Sequence, residues 1–101
     1  MSARKRQIVL SPEARIDVRD VLVFTQEQWG TAQMRAYNTR LYAAFTRLAQ
    51  FPALGNPRSA FGVDIRSHRV GQHVIIYQAT DTELLIVRIL HVRRDLDAEF
   101  A

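Results

Sequence analysis

The chain has 101 residues and no cysteine, which suits a single domain and excludes a disulfide framework and a thiolate metal site. Its net charge of +4, carried by 14 basic and 10 acidic side chains, favours association with nucleic acid or with an acidic protein. No stretch approaches the ~20 apolar residues of a membrane span, and no signal peptide is recognisable. We therefore expect a cytoplasmic protein without a membrane partner.

The amino-terminal half begins with a short strand and a helix. Residues 6–10 read as the strand, and Ser11 and Pro12 then give a strong helix start, with serine as the N-cap and proline in the first helical position. Apolar residues at spacings of three and four predict that this helix continues to Trp29. Gly30 is expected to end it.

A second helix follows almost at once. Thr31 is a candidate N-cap, and the three-and-four pattern resumes from Met34 to Leu48. With only Gly30 between them, the two helices should form an antiparallel hairpin. The proline- and glycine-containing stretch 51–58 predicts an ordered turn after it.

The carboxyl-terminal half is predicted to form three strands. The alternation of residues 63–70 indicates a half-buried strand, and residues 72–94 read as two further strands around a turn at 80–82. Leu84 to Leu90 is nearly continuous apolar sequence, typical of a strand buried on both faces. Residues 95–101 suggest a short last helix or a tail.

The element order is therefore β-α-α-β-β-β. A helical hairpin must bury its apolar faces, and only a sheet is available to cover them. We predict one α+β domain over residues 1–101, with the hairpin on one face of a small, mostly antiparallel sheet.

The sequence contains no recognisable motif for several common chemistries. It has no nucleophile elbow, phosphate loop or dinucleotide fingerprint, and its three histidines lack a metal-ligand spacing. We expect no metal and no cofactor. Metal-free RNA cleavage remains open, because it needs only a base, an acid and cations for the phosphate. The candidate residues for it are Arg66, Arg69, His73, Arg88, His91, Arg93 and Arg94.

Strand alternation divides these candidates. Arg88 and Leu90 fall on one face of the last strand, and His91 and Arg93 on the other, unless a twist or bulge intervenes. Arg88 lies among apolar neighbours, so we interpret it as a structural arginine paired with an acid such as Asp64 or Asp81.

Several short segments, in this order and spacing, resemble the ParE branch of the RelE/ParE toxin superfamily of type II toxin-antitoxin modules. Residues 10–14 open the first helix, Trp29 and Gly30 close it, and Phe51-Pro52-Ala53-Leu54-Gly55 follows the second. Residues 65–67, 70–77 and 86–95 carry the resemblance through the sheet.

The resemblance implies a RelE-like α+β fold and a bacterial antitoxin whose carboxyl-terminal segment wraps the toxin. ParE-like relatives poison DNA gyrase by trapping it on cut DNA, without enzymatic activity of their own. RelE-like relatives instead cut messenger RNA on the ribosome, and they form the alternative hypothesis.

Comparison with the RelE-like ribonucleases favours the ParE branch. Arg94 falls at one of their arginine positions, but Phe100 stands where many of them carry a tyrosine, and His73 or Val74 stands where they carry another arginine. If the chain were a ribonuclease, His73, His91 and Arg94 would be its candidate catalytic residues. Otherwise we expect no catalytic residue. The predicted target-binding set, at the cationic end of the sheet, is Arg66, Arg69, His91, Arg93 and Arg94.

Overall fold

A computed structural model describes residues 5–95, and within them the elements follow the predicted order, with one additional short strand inside the predicted turn 51–58. Strand β1 (Gln7–Leu10) leads into helix α1 (Pro12–Trp29) and helix α2 (Thr31–Gln50). A 3-10 turn (Pro52–Leu54) and a two-residue strand β2 (Asn56–Pro57) precede another 3-10 turn (Ser59–Phe61). Strands β3 (Arg66–Val70), β4 (His73–Ala79) and β5 (Glu83–His91) complete the sheet.

The five strands form one sheet in the order β1-β5-β4-β3-β2. Only β1 and β5 run parallel, and the remaining pairs are antiparallel. Strand β5 therefore has a neighbour on each edge over its first half. The predicted burial on both faces holds only in part, because Leu84 and Ile86 are buried but Leu85 and Val87 are only half-buried. A register shift in its pairing with β4, between Ile76 and Tyr77, marks a bulge.

Both helices pack on one face of this sheet, which confirms the predicted α+β architecture. The larger core lies there and joins Ala14 and Val18 of α1 and Leu41 and Phe45 of α2 to alternate residues of the strands. A smaller cluster occupies the opposite face, around Val74, Ile76 and Leu90. No helix within residues 5–95 is long and apolar enough to cross a membrane.

The start of α1 forms as predicted, but that of α2 does not. The Ser11 side chain accepts a hydrogen bond from the Ala14 N–H at 2.9 Å, as an N-cap should. Thr31, however, is already the first residue of α2, and the cap position belongs to Gly30, at φ +93°. A one-residue connection leaves no room for a separate cap, and it requires the positive φ that glycine adopts without strain.

The predicted strand over residues 63–70 is too long at its start. Val63 is 82% exposed and lies outside the sheet, and β3 begins only at Arg66. Gly62 and Asp64 both have positive φ, and this backbone conformation cannot continue a strand. The predicted last helix falls mostly on residues 96–101, outside the described residues.

The Phe-Pro-Ala-Leu-Gly segment is fixed against the core by one buried tyrosine. The Tyr77 hydroxyl donates to the Pro52 carbonyl at 2.5 Å and accepts from the Gly55 N–H at 2.9 Å. A Cβ on Gly55 would overlap that hydroxyl and lie 2.7 Å from the Ser67 carbonyl oxygen. Only glycine therefore allows this close approach, which explains the ordered turn after α2.

Candidate functional site

The five residues of the predicted target-binding set do not form one surface. Arg66 and Arg69 lie on opposite faces of β3, because three residues separate them in a strand of period two. Arg66 faces the helix side and donates to the Gly55 carbonyl at 2.8 Å. Arg69 is exposed on the other face, beside Val74 of β4. Arg66 is therefore separated from the rest of the set.

Basic groups do gather at the carboxyl-terminal end of β5, in a tight turn after the strand. The His91 N–H donates to the Asp95 carboxylate at 2.7 Å, and the Nδ1 atom of His91 accepts from the N–H groups of Arg93 and Arg94, at 3.2 and 3.1 Å. The Arg94 guanidinium also binds Asp95, at 3.0 Å, which lowers the pKa of that carboxyl. The Arg93 side chain is exposed.

A cleft of about 910 Å³ opens beside this turn, between the helical hairpin and the end of the sheet. Phe24 and Trp29 form much of its apolar wall and are 58% and 70% exposed. His73 and His91 lie in it as cross-strand partners, with ring centroids 5.4 Å apart and nearly perpendicular. The cleft thus brings together the three residues predicted for a ribonuclease, because Arg94 also lines it.

Hydrogen bonds fix the protons of both histidines. The Tyr37 hydroxyl donates to the Val70 carbonyl at 2.8 Å, so its oxygen is left to accept from His73 Nδ1 at 2.6 Å. His91 uses Nδ1 as an acceptor, which places its proton on Nε2. Each ring therefore has only its Nε2 atom available for a ligand.

The His73 ring is held neutral. Its burial, followed by the charges of His91 and Arg94, lowers the pKa of His73 from 6.5 to about 4. Burial and the charge of Arg47 also lower the pKa of His68, on the neighbouring strand β3. A neutral histidine with one free lone pair can accept a hydrogen bond from a partner.

We expect the protein to lose stability on acidification because of these two histidines. The folded pKa lies below the unfolded value, so the stabilisation is complete above about pH 6.5 and is lost as the pH falls toward 4. For His73 the loss should be on the order of 1–2 kcal/mol, given its partial solvent screening. Urea titrations at pH 7.5 and 4.5 measure it. The variant His73→Gln should lose less on acidification, and an equal loss would contradict the assignment.

Arg88 is a structural residue, as predicted, but its partner is a different acid. It donates from Nε and Nη2 to the carboxylate of Asp17 in α1, at 2.7 and 3.2 Å. The same carboxylate accepts the Ile89 N–H at 2.9 Å. Strand β1 ends opposite Ile86, so the edge of β5 is open beyond that point, and α1 supplies the missing acceptor there. The ion pair that the structure shows is thus with Asp17, in place of the predicted Asp64 or Asp81.

Sequence reasoning missed the apolar wall and the tyrosine of the cleft. The apolar spacing of the two helices predicts faces that pack in the core, but Phe24 and Trp29 remain largely exposed. Phe24 widened the apolar stripe of α1 beyond what one packed face needs, and that excess was the available signal. Within residues 5–95 no three histidine or acidic side chains converge as a metal site would require.

Comparison with known proteins identifies the same family over nearly the whole chain. Residues 8–96 match the family described as the ParE toxin of the type II toxin-antitoxin system parDE. Toxin ParE of Escherichia coli is 32% identical over 94 residues, covering 92% of this chain and 91% of that protein. Toxin ParE1 of Caulobacter vibrioides is 29% identical over 82 residues, covering 81% and 84%.

Solved structures support the fold. A chain of the chromosomal ParDE toxin-antitoxin system from P. aeruginosa superposes with a TM-score of 0.72 at 14% identity, covering 90% of this chain and all of that one. A chain of the toxin-antitoxin complex RelBE2 from Mycobacterium tuberculosis gives 0.62 at 22% identity, covering 90% and 93%. At these identities the likeness shows a shared architecture.

Proposed function

Because the chain belongs to the ParE toxin family of type II toxin-antitoxin systems, we propose that it is a non-enzymatic poison of DNA gyrase that a cognate antitoxin silences. The match over residues 8–96 carries this proposal. It acts in the cytoplasm and arrests growth by trapping gyrase on cut DNA.

The turn after β5 supports a docking surface for the target. His91, Arg93 and Arg94 lie together past the apolar part of the strand, with Arg69 at the same end of the sheet on the face opposite the helices. Arginine forks suit an acidic protein surface or DNA phosphates. Arg66, although predicted with them, lies three residues, or ~10 Å, from Arg69 along β3 and on the other face of that strand. We therefore omit it from the proposed contact.

The cleft offers a place for the antitoxin. Exposed aromatic side chains at Phe24 and Trp29 fit the apolar side of an amphipathic segment, and Arg40 and Arg94 at the rim fit its acids. We propose that the carboxyl-terminal segment of the antitoxin occupies it. Induced expression of the toxin should arrest growth, and co-expression of the antitoxin should relieve the arrest. No arrest without antitoxin would indicate an inactive member of the family.

The ribonuclease alternative is favoured by one observation, the convergence of His73, His91 and Arg94 on the cleft. Their bonding supports a structural role instead, because each histidine uses Nδ1 within the protein and Arg94 is held by Asp95. Phe100, the other residue in that comparison, lies outside the described residues. Incubation of ribosome-bound messenger RNA with the purified chain distinguishes the gyrase poison from the ribonuclease. Cleavage of the RNA by the wild-type chain, and its loss in His91→Ala, would support the ribonuclease.

We expect Arg93→Ala combined with Arg94→Ala to reduce toxicity at least about ten-fold while the fold stays intact, because each charge-assisted contact is worth about 1.5–3 kcal/mol. Growth after graded induction measures the effect. The double variant Arg15→Ala with Arg19→Ala, on the exposed face of α1, removes the same charge and is the control. Loss of the circular dichroism signal in the first variant alone would refute its assignment to the surface.

A further inference from the structure

Charge is distributed very unevenly along this chain. From Gln28 to Thr80 there are six arginines and a single acid, Asp64, for a net charge of +5. The flanking residues carry eight cations against nine acids. Helix α2 and strands β2, β3 and β4 all belong to the central segment. The central segment is therefore basic, whereas the flanking residues taken together carry a net charge of −1.

Helix α2 presents part of this charge as an ordered row. Six of its side chains recur at alternating intervals of three and four residues, so they lie on one face of the helix. All six are exposed to solvent. We call this face the basic stripe, and its residues are Gln33, Ala36, Arg40, Ala43, Arg47 and Gln50.

The two arginines of the basic stripe are unneutralised. Within residues 5–95, neither Arg40 nor Arg47 has an acidic side chain at ion-pair distance. The Arg40 guanidinium lies beside Gly71 in the turn between β3 and β4, and the charge of Arg47 acts on His68 of β3. The helical rise of seven residues separates the two arginines by about 10 Å, the length of about three phosphates along one DNA strand.

The rest of the basic stripe fits a phosphate backbone better than a protein surface. Protein interfaces rely on large apolar or aromatic side chains at their centre, and the stripe has none. Ala43 stands between the arginines and Ala36 precedes them, and these small side chains allow a flat partner to approach the helix closely. Gln33 and Gln50 at its ends are side-chain donors of a kind that commonly contacts phosphate oxygens.

We propose that the basic stripe of α2 binds the phosphate backbone of duplex DNA without reading its sequence. The amino-terminal part of the stripe, including Arg40, also lines the cleft beside the turn after β5, whereas Arg47 and Gln50 lie beyond that cleft. DNA binding by the stripe does not depend on gyrase being the target. Arginine holds a phosphate through two parallel hydrogen bonds, so Arg40 and Arg47 provide the main contacts.

Fluorescence anisotropy of a labelled duplex of about 25 base pairs, with the full chain over a salt series, tests the proposal. The double variant Arg40→Gln with Arg47→Gln should bind about ten-fold more weakly per arginine removed. The slope of log K against log salt should become shallower by about 2. Duplexes of different sequence should bind wild type equally.

The control is Arg15→Gln with Arg19→Gln, which has the same net charge and alters exposed positions of α1. It should keep most of the wild-type affinity. Equal losses of duplex affinity in both variants would show that only net charge matters and would overturn the proposal. Absence of duplex binding by the wild-type chain at the lowest salt concentration would also overturn it. Polyglutamate serves as a second probe, a model of an acidic protein. If Arg40→Gln with Arg47→Gln weakens polyglutamate binding but leaves duplex binding unchanged, the stripe binds an acidic protein and the proposal is overturned. When duplex is added to the wild-type chain, the backbone amide NMR signals that shift must belong mainly to residues 33–50.

Discussion

Replacing Ile86 by alanine should lower the free energy of unfolding by about 2–5 kcal/mol, whereas the same change at the adjacent Leu85 should cost less than half as much. Ile86 is fully buried between the helices and the sheet. Leu85 points to the opposite face and is only half-buried, opposite Gln78 of β4. The two positions are neighbours in one strand, carry isomeric side chains and occupy opposite faces.

Urea denaturation of the two variants measures this difference, with unchanged m-values required for a direct comparison. The expected loss at Ile86 is a large part of the ~5–15 kcal/mol stability of a typical domain. Equal losses at the two positions would contradict the assignment of the main core to the helix side of β5.

Replacing Asp17 by alanine should cost about 2–4 kcal/mol, the second largest effect expected among these variants. The substitution removes the acceptor of both Arg88 and the Ile89 N–H, the latter at an edge of β5 that β1 does not cover. A buried donor left without a partner costs more than a lost surface ion pair. The Asp17 side chain is only 15% exposed, so water replaces it poorly.

Asp20 is the matched control, one turn further along the same helix. Its side chain is 66% exposed and meets Arg19 only at 3.8 Å, so Asp20→Ala should change stability by less than about 0.5 kcal/mol. Thermal or urea unfolding compares the two. A loss at Asp17 no larger than that at Asp20 would mean that the edge of β5 does not need its acceptor.

Local chemistry explains why most of the fold was predictable. Ser11, Pro12 and Gly30 set the bounds of α1, and the apolar run from Leu84 to Leu90 predicted the strand β5 correctly, although not its partial exposure on one face. The errors arose where backbone conformation overrode side-chain pattern. Val63 alternates with Ile65 as a strand residue would, but positive φ at Gly62 and Asp64 turns the chain before β3 begins.

The site was less predictable, because it depends on distances between elements. Alternation separated Arg88 from His91 correctly, yet nothing local could identify Asp17, 71 residues away in sequence, as the partner of Arg88. Spacing along β3 could have separated Arg66 from Arg69. The cleft could not be foreseen, since it forms only where the ends of α1, α2 and the sheet meet.

A gyrase cleavage assay tests the central proposal most directly. Purified chain is incubated with DNA gyrase, ATP and supercoiled plasmid, and trapped complexes are released as linear plasmid by detergent and protease. We predict linear plasmid that increases with toxin, decreases when antitoxin is added, and decreases for Arg93→Ala with Arg94→Ala. Unchanged gyrase activity over the same toxin concentrations, together with cleavage of ribosome-bound messenger RNA, would contradict the account.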